Sequence, residues 1–177
     1  MHRKHPPDFA SFAKRMSGRT SSSVPVAALW REIASIGGEN GYYFLDGLWR
    51  VRGFLDELAG GVGVRRPRRN PHDVVVGDAI DFWRVVTVEP LERLTLVAEM
   101  KLPGSAALDF ELRPENAGRT RIVVTAYFQP AGARGLLYWH GLALAHVVIF
   151  RGLVRAITRR AARREAADRR RAAPGRG

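Results

Sequence analysis

Between positions 94 and 128 apolar and polar residues alternate in three successive runs, the pattern of strands that bury one face. Leu94, Leu96, Ala98 and Met100 alternate with Thr95, Val97, Glu99 and Lys101. Ala106, Leu108, Phe110 and Leu112 alternate with Ala107, Asp109, Glu111 and Arg113, and Ile122, Val124, Ala126 and Phe128 with Arg121, Val123, Thr125 and Tyr127. A less clean run, Asp78 to Val88, precedes them, with Ile80, Phe82, Val86 and Val88 on one side and Asp81, Trp83 and Val85 on the other. Turn signals at Glu89-Pro90, Pro103-Gly104 and Glu115 to Gly118 separate the runs. Four strands joined this closely make an antiparallel meander with one apolar face.

That face needs a cover, and the sequence offers helices on both sides of the meander. Thr20 to Val26 reads as a short strand, and Leu29, Trp30, Ile33 and Ile36 then fall at helical spacing before Gly37-Gly38. Leu45, Leu48, Trp49, Leu55 and Leu58 predict a second helix at about 45–59, with Asp46–Arg50 and Arg52–Asp56 as i,i+4 pairs on its wet side. After the meander nothing breaks a helix from Ala133 to about Arg170 except glycines, and Trp139, Leu142, His146, Ile149, Leu153 and Ile157 form its apolar stripe. Beyond Ile157 alanine and arginine take over, which predicts a helix projecting past the body and fraying before Pro174.

The net charge of +12 invites a nucleic-acid reading, and its distribution argues against one. Residues 1–19 carry a net +4 and 151–177 a net +8, while 20–150 holds fourteen basic and fourteen acidic residues. The expected organisation is therefore a basic disordered arm at 1–19, a globular domain at 20–158 and an Arg-rich helical extension at 159–177. The arginine tail supports only non-specific, salt-sensitive contact with nucleic acid, since no zinc finger or base-stacking signature accompanies it. The apolar stretch 135–150 falls short of the ~20 residues a bilayer requires. It reads as a buried amphipathic helix with no transmembrane segment, interfacial attachment through the arginines being the alternative. No signal-peptide pattern opens the chain, and a cytoplasmic location is expected. With no cysteine, disulfides, thiolate metal sites and cysteine nucleophiles are excluded.

The order strand, two short helices, antiparallel strands and long C-terminal helix resembles the helix-grip fold of the START and birch-pollen-allergen (SRPBCC) superfamily. The fold class expected is α+β, a curved antiparallel sheet wrapped on the long helix. The runs IGGENGYYFLDGLWRVRGFLDELAGGVGVRRPRR, GDAIDFWRV, AEMKLPGSAALDFEL and TAYFQPAGARGLLYWHGLALAHVVIFRGL further resemble a bacterial domain family, over about 20–160. That family usually stands C-terminal to atypical short-chain dehydrogenase or epimerase-like NAD(P)-binding domains. The resemblance implies an apolar cavity between sheet and helix, and as one partner a separate NAD(P)-binding oxidoreductase. This chain contains no strand–GxGxxG–helix unit, Gly60 to Gly63 ending a helix rather than opening one, so a stand-alone version is expected.

Among residues that can carry chemistry, His146 lies on the buried stripe. It reads first as a core histidine bonded to a backbone carbonyl or Tyr127, and second as a polar anchor or acid/base in the cavity. His140 sits about 240° round the helix, so the two cannot share a metal, and no metal site is expected. Glu99, Asp109, Glu111 and Asp81 are the meander's acids. They read as solvated or paired with Arg84, Lys101 and Arg121, and only a pair meeting across strands would make a general acid. Arg65 to Arg69 reads equally as a solvated loop or as a phosphate or carboxylate grip at a cavity mouth. The aromatic residues Trp49, Tyr42, Tyr43, Phe82 and Tyr138 divide between core and pocket. No G-x-S-x-G motif occurs. The expected ligand-binding set is Trp83, Phe110, Tyr127, Trp139 and His146, with no cofactor. His146 and Glu99 are the weak catalytic candidates. The reading is a domain that binds a small apolar, lipid- or polyketide-like molecule without turnover. The alternatives are an accessory domain for the oxidoreductase, or a cavity enzyme of cyclase, dehydratase or isomerase type.

Overall fold

The computed structural model describes residues 9–37, 41, 74–99 and 102–172. A 3-10 turn at Phe9–Ser11 leads into β1 (Lys14–Ser22) and α1 (Val26–Ala34). There follow β2 (Ala79–Ile80), β3 (Trp83–Glu89), β4 (Arg93–Ala98), β5 (Gly104–Pro114), β6 (Thr120–Pro130), α2 (Gly132–Gly141) and α3 (Ala143–Ala172). The second helix expected at 45–59, with Tyr42, Tyr43, Trp49, Gly60 to Gly63 and Arg65 to Arg69, lies outside the described residues.

The strands form one antiparallel sheet in the order β1-β6-β5-β4-β3-β2. The period-two alternation sets which side faces in: Leu94, Leu96, Leu108, Phe110, Leu112, Ile122, Val124 and Phe128 are all buried. Leu29 and Ile33 of α1 and Ile149, Leu153, Val154 and Ile157 of α3 close over that face. The molecule is a helix-grip α+β fold, a curved sheet held against a long C-terminal helix.

Four expectations are corrected. The basic arm does not extend to residue 19, because Lys14 to Ser22 forms the edge strand β1, paired along its whole length with Phe128 to Thr120 of β6. The run from Asp78 to Val88 is two strands, β2 and β3. Asp81 turns the chain at a φ of 52°, Ile80 pairs with Trp83, and a register shift falls between Val85 and Thr87. A bulge of this kind reverses which residues face in, so Trp83 and Val85 belong to the core rather than to the opposite side. The long helix is also not continuous: α2 and α3 meet at Leu142 with a bend of 56°. Beyond Ile157 the helix stays on the body, with Ala161 buried and both Arg160 and Arg164 paired with Glu32.

Candidate functional site

Between the inner face of the sheet and the α2–α3 elbow lies a cavity of about 190 Å³. Trp83, Leu102, Ala106, Leu108, Ala126 and Phe128 line it from the strands, and Tyr138, Trp139, Leu142, Ala145, His146, Ile149 and Phe150 from the helices. Ala106 pairs with Phe128, and Leu108 with Ala126, so on each strand a small residue stands where its neighbour is large. Ala145 on α3 is equally short. These alanines leave the space that leucines at the same positions would occupy.

The polar content of this wall is small and specific. Trp139 stacks on Phe128 at 5.6 Å between ring centroids, His146 lies 5.1 Å from Trp139, and Phe150 follows at 5.8 Å. Burial among these rings pushes the His146 imidazole below its ordinary pKa. It is neutral at pH 7, with one nitrogen a donor and the other an acceptor. Its Nδ1 is buried and, among the described residues, has no hydrogen-bond partner, and neither has the indole Nε1 of Trp83. A buried polar atom without a partner costs about 1–3 kcal/mol, so two in one apolar wall call for an explanation.

The sequence-derived candidates separate accordingly. Trp83, Trp139 and His146 border the cavity. Phe110 does not: it is fully buried between Leu94 of β4 and Val124 of β6 and is core. The strand at Tyr127 touches the cavity, but alternation turns the ring to the outer face, where it lies 6.4 Å from Phe9. Burial, and next the nearby Asp109 charge, raise its phenol pKa. His146 is therefore bonded neither to Tyr127 nor to a backbone carbonyl through Nδ1. Glu99 is not brought to His146. Its carboxylate accepts two hydrogen bonds from Arg84, at 2.8 and 3.1 Å, and does not border the cavity. Asp109 is buried rather than solvated, and accepts from Arg93 at 2.9 and 2.8 Å and from Thr95 at 2.8 Å. Glu111 pairs with Arg113 and Arg93. Among the described residues no group of three or more His, Asp or Glu is placed to hold a metal.

Phe128, Ala126, Ala106 and Ala145 were absent from the expected set. The alternation contains the signal for the first two, since it puts Ala126 and Phe128 on the apolar side and Tyr127 on the other. What alternation does not show is that Ala106, Ala126 and Ala145 open a cavity, because a pocket made by small residues looks in sequence like ordinary core. A wider cleft of about 800 Å³ opens at the opposite end of the β5–β6 hairpin, between Pro25 and Arg119. Its walls carry Glu89, Glu92, Arg93, Glu111, Arg113 and Glu115 and lie open to solvent, so it does not enclose an apolar molecule.

Solved structures share this architecture. An aromatase/cyclase, ZhuI of Streptomyces sp. R1128, superposes with a TM-score of 0.51 at 16% identity, over 85% of this chain and 94% of its own. The di-domain ARO/CYC BexL of the BE-7585A biosynthetic pathway gives 0.50 at 10% identity, over 81% of this chain and 46% of its own. At such identities the likeness establishes the fold. A search of curated proteins returned no match. No single described helix is long and apolar enough to cross a membrane; α2 and α3 reach that length and composition only as a bent pair. Residues 8–153, which take in the sheet, the elbow and every cavity-lining position, match the family described as Protein of unknown function (DUF2867), and the chain belongs to it.

Proposed function

We propose that the cavity binds a small apolar molecule bearing one polar group, without turnover. The observation that carries this is the pair of unpartnered buried polar atoms, Trp83 Nε1 and His146 Nδ1, in an otherwise apolar wall. A hydroxyl or carbonyl on a ring satisfies such atoms, while the alanine-lined space receives its skeleton. Size narrows the class further. A dry protein cavity of about 150 Å³ accommodates benzene, so 190 Å³ suits one substituted ring or a short branched chain rather than a full lipid. That two proteins of the same fold are aromatase/cyclases supports a ring-shaped ligand. Binding without chemistry is favoured because, among the described residues, no carboxylate lines the cavity with His146.

Calorimetry with p-cresol and toluene tests the reading. p-Cresol is expected to bind up to about tenfold more tightly than toluene, the worth of one net hydrogen bond. Ala126→Leu fills the space and is expected to abolish binding of both while leaving the unfolding midpoint unchanged or raised. Failure of both compounds to bind, or binding indifferent to Ala126→Leu, would overturn it.

A further inference from the structure

The outer side of the elbow differs from the rest of the surface. Seven large apolar side chains are exposed among the described residues, and four of them, Leu136, Leu137, Leu144 and Val148, lie on α2 and the first turns of α3. Leu137 and Leu144 are 76% and 85% exposed. Scattered singly, such residues require no explanation, but these form a stripe. Positions 144 and 148 fall on one side of α3, which continues as Arg151, Arg155, Arg159 and Arg163, all exposed, and Leu137 is exposed on α2 just across the bend. No acidic residue occurs anywhere from Ala131 to Arg164. The acids further along α3 turn elsewhere, Asp168 to Arg31 of α1 and Glu165 to Arg169.

We infer that this stripe seats the protein on the surface of an anionic lipid bilayer, with the leucines of the elbow among the headgroups and the arginines along the phosphates. Exposed apolar residues continuous with a basic helical stripe suit a surface that offers apolar and anionic partners together, as the interface of an anionic bilayer does. The chemistry selects this occupant over two others. A nucleic acid would contact the arginines but gives exposed leucines nothing to bury against. A second copy of the chain, related by a twofold axis, would set one arginine stripe against another. The helices lie on the bilayer rather than across it, because the other face of α3 is already packed on the sheet through Ile149, Leu153 and Ile157. Trp139, Leu142 and His146 line the cavity from the inner side of the same elbow, about one helix thickness of 10 Å from the membrane. The inference stands whether or not the cavity binds a ring, since vesicle binding and p-cresol binding are measured separately.

Co-sedimentation of the full chain with vesicles tests it. Binding is expected to vesicles of phosphatidylcholine and phosphatidylglycerol in equal parts, to weaken with added salt, and to be absent with phosphatidylcholine alone. Arg155→Gln with Arg159→Gln should weaken binding by about fivefold per arginine. Leu137→Ser with Leu144→Ser should weaken it by at least about tenfold, with an unchanged circular dichroism spectrum because both side chains are exposed. Absence of binding to the anionic vesicles overturns the inference. So does binding that depends on the arginines but ignores both leucine changes and is matched by an RNA duplex, which would assign the stripe to nucleic acid.

Discussion

The imidazole of His146 is held among aromatic rings in the cavity wall, and its neutrality follows from burial alone. A histidine whose folded pKa lies below its unfolded value near 6.5 binds protons more readily in the unfolded chain. Its contribution to stability is therefore complete above about pH 6.5 and is lost as the pH falls through the lower folded value. The melting temperature, followed by circular dichroism from neutral to mildly acidic pH, should decline below that point. In His146→Leu the decline should be shallower, because the variant has no proton to take up there. An identical pH profile for the two proteins would mean that the imidazole is solvated. The helical stripe made His146 legible from sequence alone, as did Trp139. Tyr127 borders the cavity through its strand position, while its parity carries the ring toward Phe9 on the outer face. Trp83 was placed on the wrong side by a bulge that no alternation rule anticipates.

At the scale of elements, the sequence was clear where apolar residues alternate and silent where small ones do. β1 reads KRMSGRTSS, with no apolar period, and the reason is visible in what lies over it. The helix α3 crosses this strand so closely that a Cβ at Gly18 would stand 2.4 Å from the carbonyl oxygen of Phe150. The inner positions Gly18, Thr20 and Ser22 have to be small or polar, and the hydrophobic signal of a strand is lost with them. Gly18→Val should force α3 away from the sheet and destabilise the protein by about 1–3 kcal/mol, the usual cost of overpacking. Urea unfolding checks this, and an unchanged midpoint would show that the strand and helix are not in contact in solution. The bend at Leu142 has a related origin. Gly135 holds α2 tightly against the Pro103 carbonyl and Pro130, while α3 is directed by its crossing over β1. Two close contacts with different directions cannot be met by one straight helix, and glycine spacing alone does not reveal where the break falls.

Over the whole molecule, the charge excess belongs to the ends, yet the C-terminal end is less free than its composition suggests. Glu32 of α1 has a fully buried carboxylate, with Arg160 Nε at 3.1 Å and Arg164 Nη1 at 3.0 Å. Both arginine side chains remain 40% exposed. The two ends of this contact are therefore unequal, and substitutions on either side should not cost the same. With Glu32→Gln, the arginines can turn their heads into water, and the loss is that of the two ion pairs, smaller than the cost of leaving a charge buried. With Arg160→Ala and Arg164→Ala together, the buried carboxylate loses both of these counter-charges at once. That condition costs about 3–5 kcal/mol in measured cases. Because α3 also covers the sheet and forms one wall of the cavity, the double variant should lower cooperativity as well as the urea midpoint. A loss of no more than about 1 kcal/mol, the worth of a surface pair, would instead mean that the carboxylate reaches water and that α3 is held to the body by its apolar face alone.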